Sequence, residues 1–209
     1  MRRALVFALV IAVSVAAVLV DRASAQQNRP GFFVTSATSG SADFGGLAGA
    51  DKVCQQLAKA TSAGNRMWRA YLSTNGPGGV NARDRVGKGP WYNVKGQLIA
   101  QNLDELHSDK ANINNDTALD EQGRQINPPG GANRHDVLTG STTEGRASEM
   151  TCNNWTSSGA GSATVGHHDR LTFGKPGSPW NSAHPSKGCS AENLRGTGGA
   201  GLIYCFAAD

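Results

Sequence analysis

Four cysteines, spaced unevenly along 209 residues, constrain the fold of this chain more than any other feature. They are Cys54, Cys152, Cys189 and Cys205. An even number of cysteines in an exported chain is typical of a disulfide framework, here of two bonds. Four cysteines allow three pairings, and their positions alone do not choose among them.

The N-terminal sequence predicts that the chain is exported. Arg2 and Arg3 precede an apolar run at residues 4–20, and an Ala-Ser-Ala sequence ending at Ala25 offers a cleavage site. We predict a signal peptide at residues 1–25, a short leader at residues 26–30 and one folded domain at residues 31–209. The predicted location is secreted or periplasmic. A retained membrane anchor is the alternative, although 17 residues are close to the minimum that spans a bilayer.

The composition predicts a loop-rich domain that needs cross-links. Residues 1–25 hold three arginines and one aspartate, so their removal lowers the formal charge from +4 to +2. This charge, without a lysine-rich run, is not that of a general nucleic-acid binder. Charged residues make up 17% of the chain and glycines number 27, which indicates many loops that bury little apolar surface.

Apolar periodicity predicts a few regular elements. Residues 47–63 place apolar side chains on one face at three- and four-residue spacing, which predicts the longest helix, ending at Gly64. Shorter helical segments are expected at 81–86 and 102–107, and strands at 31–35, 67–73, 91–100 (a hairpin), 137–140 and 202–207. The polar segments 108–134 and 167–187 are predicted to be long loops and to carry any binding surface.

Several segments resemble endostatin, the C-terminal domain of certain collagens, and its bacterial exported relatives of uncertain function. They are Gly46-Leu47-Ala48-Gly49-Ala50-Asp51-Lys52-Val53-Cys54, Trp68-Arg69-Ala70-Tyr71-Leu72-Ser73, Ala118-Leu119-Asp120-Glu121-Gln122-Gly123, Leu138-Thr139-Gly140-Ser141, Thr151-Cys152-Asn153-Asn154-Trp155-Thr156-Ser157, Val165-Gly166 and Leu202-Ile203-Tyr204-Cys205-Phe206. The resemblance covers most of residues 31–209.

This resemblance implies an α+β, C-type-lectin-like single domain. The expected architecture has an antiparallel sheet, one long helix near the N-terminus, long loops and neighbouring chain termini. The resemblance also implies nested disulfides, Cys54 with Cys205 and Cys152 with Cys189. The histidine-rich N-terminus that binds zinc in endostatin has no counterpart here, so the resemblance implies no zinc site.

A calcium-dependent glycan site is the first candidate that the resemblance suggests. C-type lectins carry Trp-Asn-Asp before the penultimate cysteine, whereas this chain has Trp180 and Asn181 followed by Ser182. Calcium prefers several oxygen ligands with carboxylate charge, and the serine removes one. Candidate calcium ligands remain in an upstream polar segment, at Asp116, Asp120 and Glu121. We expect no cofactor, with calcium as the alternative, and we expect the tryptophans to be core or loop-anchoring residues.

A basic patch is the second candidate. Its members are Arg66, Arg69, Arg83 and Arg85. Arginine suits sulfate and phosphate groups, so the patch could bind a polyanion, with ordinary surface ion pairs as the alternative. Asn153 and Asn154, with Trp180 and Asn181, are further candidate ligand-binding residues.

A histidine cluster is the third candidate. His167 and His168 precede Asp169, and His135 or His184 could join them at a metal ion. Adjacent residues of an extended segment point to opposite faces, which disfavours a shared ion. We therefore expect solvated loop histidines and no metal site.

The sequence lacks several motifs of common enzymes, including His-Glu-x-x-His, Gly-x-Ser-x-Gly and the Walker phosphate-binding loop. We expect a noncatalytic exported module that recognises a glycan or another extracellular polymer. The alternatives are a structural or adhesive protein that binds other extracellular proteins and, third, a hydrolase. Nucleic acid is not an expected partner, no membrane span is expected after signal cleavage, and the oligomeric state is left open.

Overall fold

The computed structural model describes residues 29–61 and 63–209. The predicted signal peptide and most of the predicted leader lie outside the described residues. The described chain is a mixed α+β structure with two disulfides. Within it, no helix is both long and apolar enough to cross a membrane.

A six-stranded sheet organises the molecule around its last strand, β10 (Gly199–Ala207). The strands beside it are β1 (Phe32–Val34), β2 (Trp68–Ala70), β5 (Asp136–Leu138), β6 (Thr164–His167) and β9 (His184–Pro185). Strand β10 pairs antiparallel with β1 and β2 and parallel with β5, and the sheet continues antiparallel through β6 to β9. The first and last strands are therefore neighbours, with Phe32 opposite Phe206.

Both faces of this sheet are buried. Along β10, Ile203 and Cys205 belong to one apolar cluster, whereas Leu202, Tyr204 and Phe206 belong to the other. Successive side chains of a strand point to opposite faces. The unbroken apolar run near the C-terminus follows from this double burial, and the predicted strand at 202–207 is confirmed.

The first helix, α1 (Gly46–Lys59), packs beside β2 and buries Ala50, Cys54 and Ala58. It confirms the predicted helix but ends before the predicted stop at Gly64. The Thr61 hydroxyl bonds to the Ala58 carbonyl, which competes with a further helical turn. The chain then folds back so tightly that a Cβ at Gly64 would lie 2.6 Å from the Cα of Lys59.

Both disulfides have the nested pairing that the resemblance implied. Cys54–Cys205 joins α1 to β10 across 151 residues of sequence. Cys152–Cys189 closes a shorter loop of 37 residues. The larger loop contains the smaller one, and no described cysteine is free.

The remaining elements are short. Helix α2 (Leu103–Leu106) lies in the predicted segment 102–107 and is capped by Asn102, and a 3₁₀ turn covers Ala82–Asp84. The strand predicted at 67–73 is regular only at β2, and the predicted hairpin consists of β3 (Trp91–Tyr92) and β4 (Leu98–Ala100). A left-handed turn, α3 (Cys152–Trp155), begins at the first cysteine of the second disulfide, and α4 (Ala191–Thr197) begins after Ser190.

The segment predicted as a long loop at 167–187 contains three short strands, which corrects that prediction. Strands β7 (Leu171–Thr172) and β8 (Lys175–Pro176) form a hairpin, and β9 completes the edge of the main sheet. Their side chains mix lysine, proline, histidine and threonine, and this gives little apolar alternation. Pairing with β6 therefore determines the extended structure of β9.

Candidate binding site

A cavity of about 450 Å³ lies beside the edge of the sheet formed by β5, β6 and β9. Three histidines, His135, His167 and His184, line it together with Asp169 and the β7–β8 hairpin. On the other side of the hairpin lies a second cavity of about 480 Å³, lined by residues that include Ser178 and Pro179. Phe173 borders both cavities.

Strand register brings the histidines together beside a buried carboxylate. Asp136 begins β5 and lies opposite His167, the last residue of β6. His184 begins β9 opposite Val165, and His135 immediately precedes β5. In the described chain, His135, Asp136 and His167 form a group whose donor atoms all lie within 4.8 Å of one another.

The carboxylate of Asp136 is at the centre of this cluster. Its Oδ1 lies 3.1 Å from Nε2 of His135, 3.2 Å from Nε2 of His167 and 3.7 Å from Nε2 of His184. These are ion-pair distances, but neither carboxylate oxygen has a partner in hydrogen-bonding geometry among the described residues. The Asp136 and His167 side chains are each only 2% exposed, so water does not solvate them freely.

The pKa values of the titratable groups around Asp136 are shifted in different directions. The Asp169 carboxylate, 3.5 Å from Nδ1 of His135, raises the pKa of His135 above its usual value. Burial opposes ionisation of Asp169, but its contacts with His135 and with the Leu171 N–H outweigh this effect and lower its pKa. His168 is buried and is not one of the grouped donors, and burial lowers its pKa to about 4. His167 and His168 are both buried, which corrects the expectation that they are solvated loop histidines.

The hairpin presents an unusual residue at its tip. Phe173 is 99% exposed, and its φ of 50° lies in the left-handed region. It precedes Gly174, which is also left-handed, so the pair forms the tight turn between β7 and β8. Asparagine or glycine is usual at such a position, because a bulky residue there is strained. Strain and full exposure at one residue commonly indicate a functional position.

The predicted arginine patch consists of arginines that each have partners. Arg66 pairs with Asp209, and Arg83 donates to the Glu144 carbonyl. Arg69 and Arg85 both pair with Asp51, at 2.6 and 2.8 Å. Arg69 and Arg85 thus share one carboxylate, as expected if these arginines form ordinary ion pairs.

The amide and tryptophan candidates are mainly internal. Trp180 donates to the Leu106 carbonyl, and Asn181 donates to the Tyr71 hydroxyl and to two backbone carbonyls. Asn154 bonds to the backbone of Asn75, whereas Asn153 is exposed. Trp180 and Asn181 border a separate cavity of about 340 Å³.

The three calcium candidates make separate contacts. Asp120 is buried and accepts hydrogen bonds from the Gln122 and Arg124 N–H groups and from the Arg124 side chain. Glu121 is buried and accepts from Ser36, whereas Asp116 is exposed. The two buried carboxylates thus have structural partners, and the three are not among the described groups suited to a metal ion.

Sequence reasoning named the histidines but missed Asp136 and Phe173. The one available signal for Asp136 was its place between His135 and an apolar strand. No family model matches this chain, and no curated protein matches it either. The geometry of the site is therefore the main basis for a functional proposal.

Proposed function

We propose that this chain is an exported, noncatalytic binding module that recognises a glycan or another extracellular polymer across the β7–β8 hairpin. The finer fold assignment, C-type-lectin-like, belongs to the same proposal. It is supported by the nested disulfides, the single long helix near the N-terminus and the pairing of β1 with β10. Two disulfides also favour an oxidising compartment, either periplasmic or extracellular.

The position of Phe173 carries the proposal. A fully exposed, strained aromatic ring lies between two cavities of about 450 and 480 Å³. A ligand that occupies both cavities must cross the ring, so an extended chain fits better than an isolated small molecule. Threonine, serine and asparagine side chains border the cavities and offer hydrogen bonds, while the ring offers an apolar face.

A glycan is the first choice of polymer because it combines hydroxyl groups with apolar ring faces. Burying the Phe173 ring in a complex would contribute about 1.5–3 kcal/mol. This corresponds to about 10- to 100-fold in affinity. The alternative is an adhesive protein that binds an extracellular polypeptide through the same face, because exposed aromatic residues also anchor protein interfaces.

A glycan array followed by titration calorimetry of the positive glycans tests the proposal. Phe173→Ala should weaken binding about 10- to 100-fold. Met67→Ala is the matched control, since Met67 is the other large apolar side chain exposed in the described chain and does not border either cavity. Equal loss in both variants, or no loss in Phe173→Ala, would refute this site.

Two further measurements separate the alternatives. Glycan binding that disappears at high salt and does not depend on Phe173 would point to the arginines. If no glycan binds but an extracellular matrix protein binds in a Phe173-dependent way, the adhesive alternative is supported. Absence of both kinds of binding overturns the proposed function.

A further inference from the structure

The three clustered imidazoles direct the same ring nitrogen, Nε2, toward Asp136. Their other nitrogen, Nδ1, lies beside an oxygen acceptor in every case. The acceptors are Asp169 Oδ2 for His135, the Leu171 carbonyl for His167 and the Pro185 carbonyl for His184. A neutral imidazole carries its proton on the nitrogen that donates a hydrogen bond. In this neutral form, with the proton on Nδ1, the three Nε2 atoms carry lone pairs that a cation can accept.

These lone pairs face one another and a carboxylate oxygen. Nε2 of His167 lies 2.9 Å from Nε2 of His184 and 3.2 Å from Oδ1 of Asp136. With both protons on Nδ1, no proton lies between the two nitrogens and their lone pairs repel, and the Asp136 carboxylate has no hydrogen-bond donor among the described residues. A cation between these atoms removes both unfavourable features.

We propose that Asp136, His135, His167 and His184 bind one divalent transition-metal ion, with zinc as the first choice, at the floor of the cavity. Zinc binds histidine nitrogen and carboxylate oxygen at about 2.0–2.1 Å, usually with tetrahedral geometry. The edge of such a tetrahedron is about 3.3 Å. Four of the six donor–donor distances, the three from Asp136 Oδ1 and the one between His167 and His184, run from 2.9 to 3.7 Å, and this edge lies within their range.

The chemistry of the donors also selects the class of ion. Three imidazoles and one carboxylate suit zinc, copper and nickel, whereas calcium and magnesium prefer oxygen ligands. Copper(II) generally binds such donors more tightly, and we choose zinc first because histidine and carboxylate are its usual ligands. This zinc site differs from the N-terminal one of endostatin, and it revises the sequence-based expectation of no metal.

The site is reachable from the cavity, and its closely grouped donors are those of His135, Asp136 and His167, with His184 beside His167. Its donors come from three adjacent strands, β5, β6 and β9, whose register positions Asp136, His167 and His184. The His184 side chain is 36% exposed and that of His135 is 18% exposed, so an ion could enter from the cavity side. Asp169 would hold His135 in the correct orientation, a common second-shell role in metal sites.

Calorimetric titration with zinc tests this inference on the full chain. The protein is purified with its disulfides formed and without a histidine tag, and a chelator removes any bound metal before the titration. We expect one ion per chain, measured independently by elemental analysis. Cobalt(II) should give the visible absorption of tetrahedral coordination. Asp136→Asn and His184→Ala should each lower zinc affinity more than about 100-fold, because loss of a ligand exceeds the 10- to 100-fold loss typical of second-shell changes.

His107→Gln is the matched control, because His107 lies outside the cluster and bonds to Tyr71 and Leu103. It should bind zinc as the unmodified chain does. If His184→Ala does not fold, the near-isosteric Asp136→Asn variant still decides the outcome. No zinc uptake by the unmodified chain, or unchanged affinity in Asp136→Asn, overturns the metal site and points to protonated histidines as the partners of the carboxylate.

This test is independent of the proposed polymer binding. Phe173→Ala should bind zinc as the unmodified chain does while it binds the polymer more weakly, since its side chain is not one of the four ligands. Failure of zinc binding with intact Phe173-dependent polymer binding removes only the metal site. Zinc binding without any polymer binding removes only the proposed function.

Discussion

The two disulfides allow a quantitative prediction, because they close loops of very different length. We consider two double variants, Cys54→Ala with Cys205→Ala and Cys152→Ala with Cys189→Ala. The loops span 151 and 37 residues. Constraint of the unfolded chain by loops of these lengths corresponds to about 5 and about 4 kcal/mol at 25 °C. Removal of the outer bond should therefore cost about 1 kcal/mol more than removal of the inner bond.

All four cysteines are almost fully buried, so each double variant loses a similar volume of buried sulfur. The cavity contributions then largely cancel in the comparison, and the difference reports loop length. A loss of about 5 kcal/mol is a large part of the stability of an ordinary domain. The outer-bond variant could be unfolded in plain buffer, so all chains should also be compared with the same concentration of a stabilising osmolyte.

Urea unfolding followed by tryptophan fluorescence measures these differences, with stability obtained by linear extrapolation. The unmodified chain and both variants should be measured side by side. If removal of the inner bond costs as much as removal of the outer bond, or more, loop closure does not control the contribution of these disulfides. Strain or residual structure in the unfolded chain would then dominate.

Three further changes have clear expected outcomes. Phe173→Asn should raise stability by about 1 kcal/mol in urea unfolding, because asparagine tolerates the left-handed turn; an equal or lower stability would contradict the strain. Asp51→Ala should cost about 3 kcal/mol because it leaves the largely buried Arg85 without its carboxylate partner, whereas Asp209→Ala, at a more exposed pair, should cost less than about 1 kcal/mol. Equal losses in urea unfolding would contradict this. Burial lowers the pKa of His107, so the unfolded chain binds a proton at this residue more readily than the folded chain does. The folded chain is therefore destabilised by protonation of the unfolded one as pH falls below about 6.5, and this loss is absent above that pH. Urea midpoints at pH 7.5 and 5.5 should therefore differ less in His107→Gln than in the unmodified chain, and identical differences would exclude this role.

Local sequence patterns were sufficient for the main regular elements and much less informative about the site. The periodicity of α1 and the apolar run of β10 are strong because each buries a continuous surface. The short strands β7, β8 and β9 have weak patterns, since pairing with neighbours rather than local propensity holds them. Helix α4 was not predicted, because its apolar pattern is short and glycines lie within it, at Gly196, and at its end, at Gly198.

The sequence by itself predicted two disulfides without their pairing, export of the chain, and the positions of the longest helix and the last strand. His167 and His184 follow Asp136 by 31 and 48 residues in the sequence. Only the tertiary structure decided that these three residues lie together. The physical reason is strand register: a slip of one residue in β6 would turn His168 instead of His167 toward Asp136. Register depends on burial of both sheet faces, a property that no local segment contains.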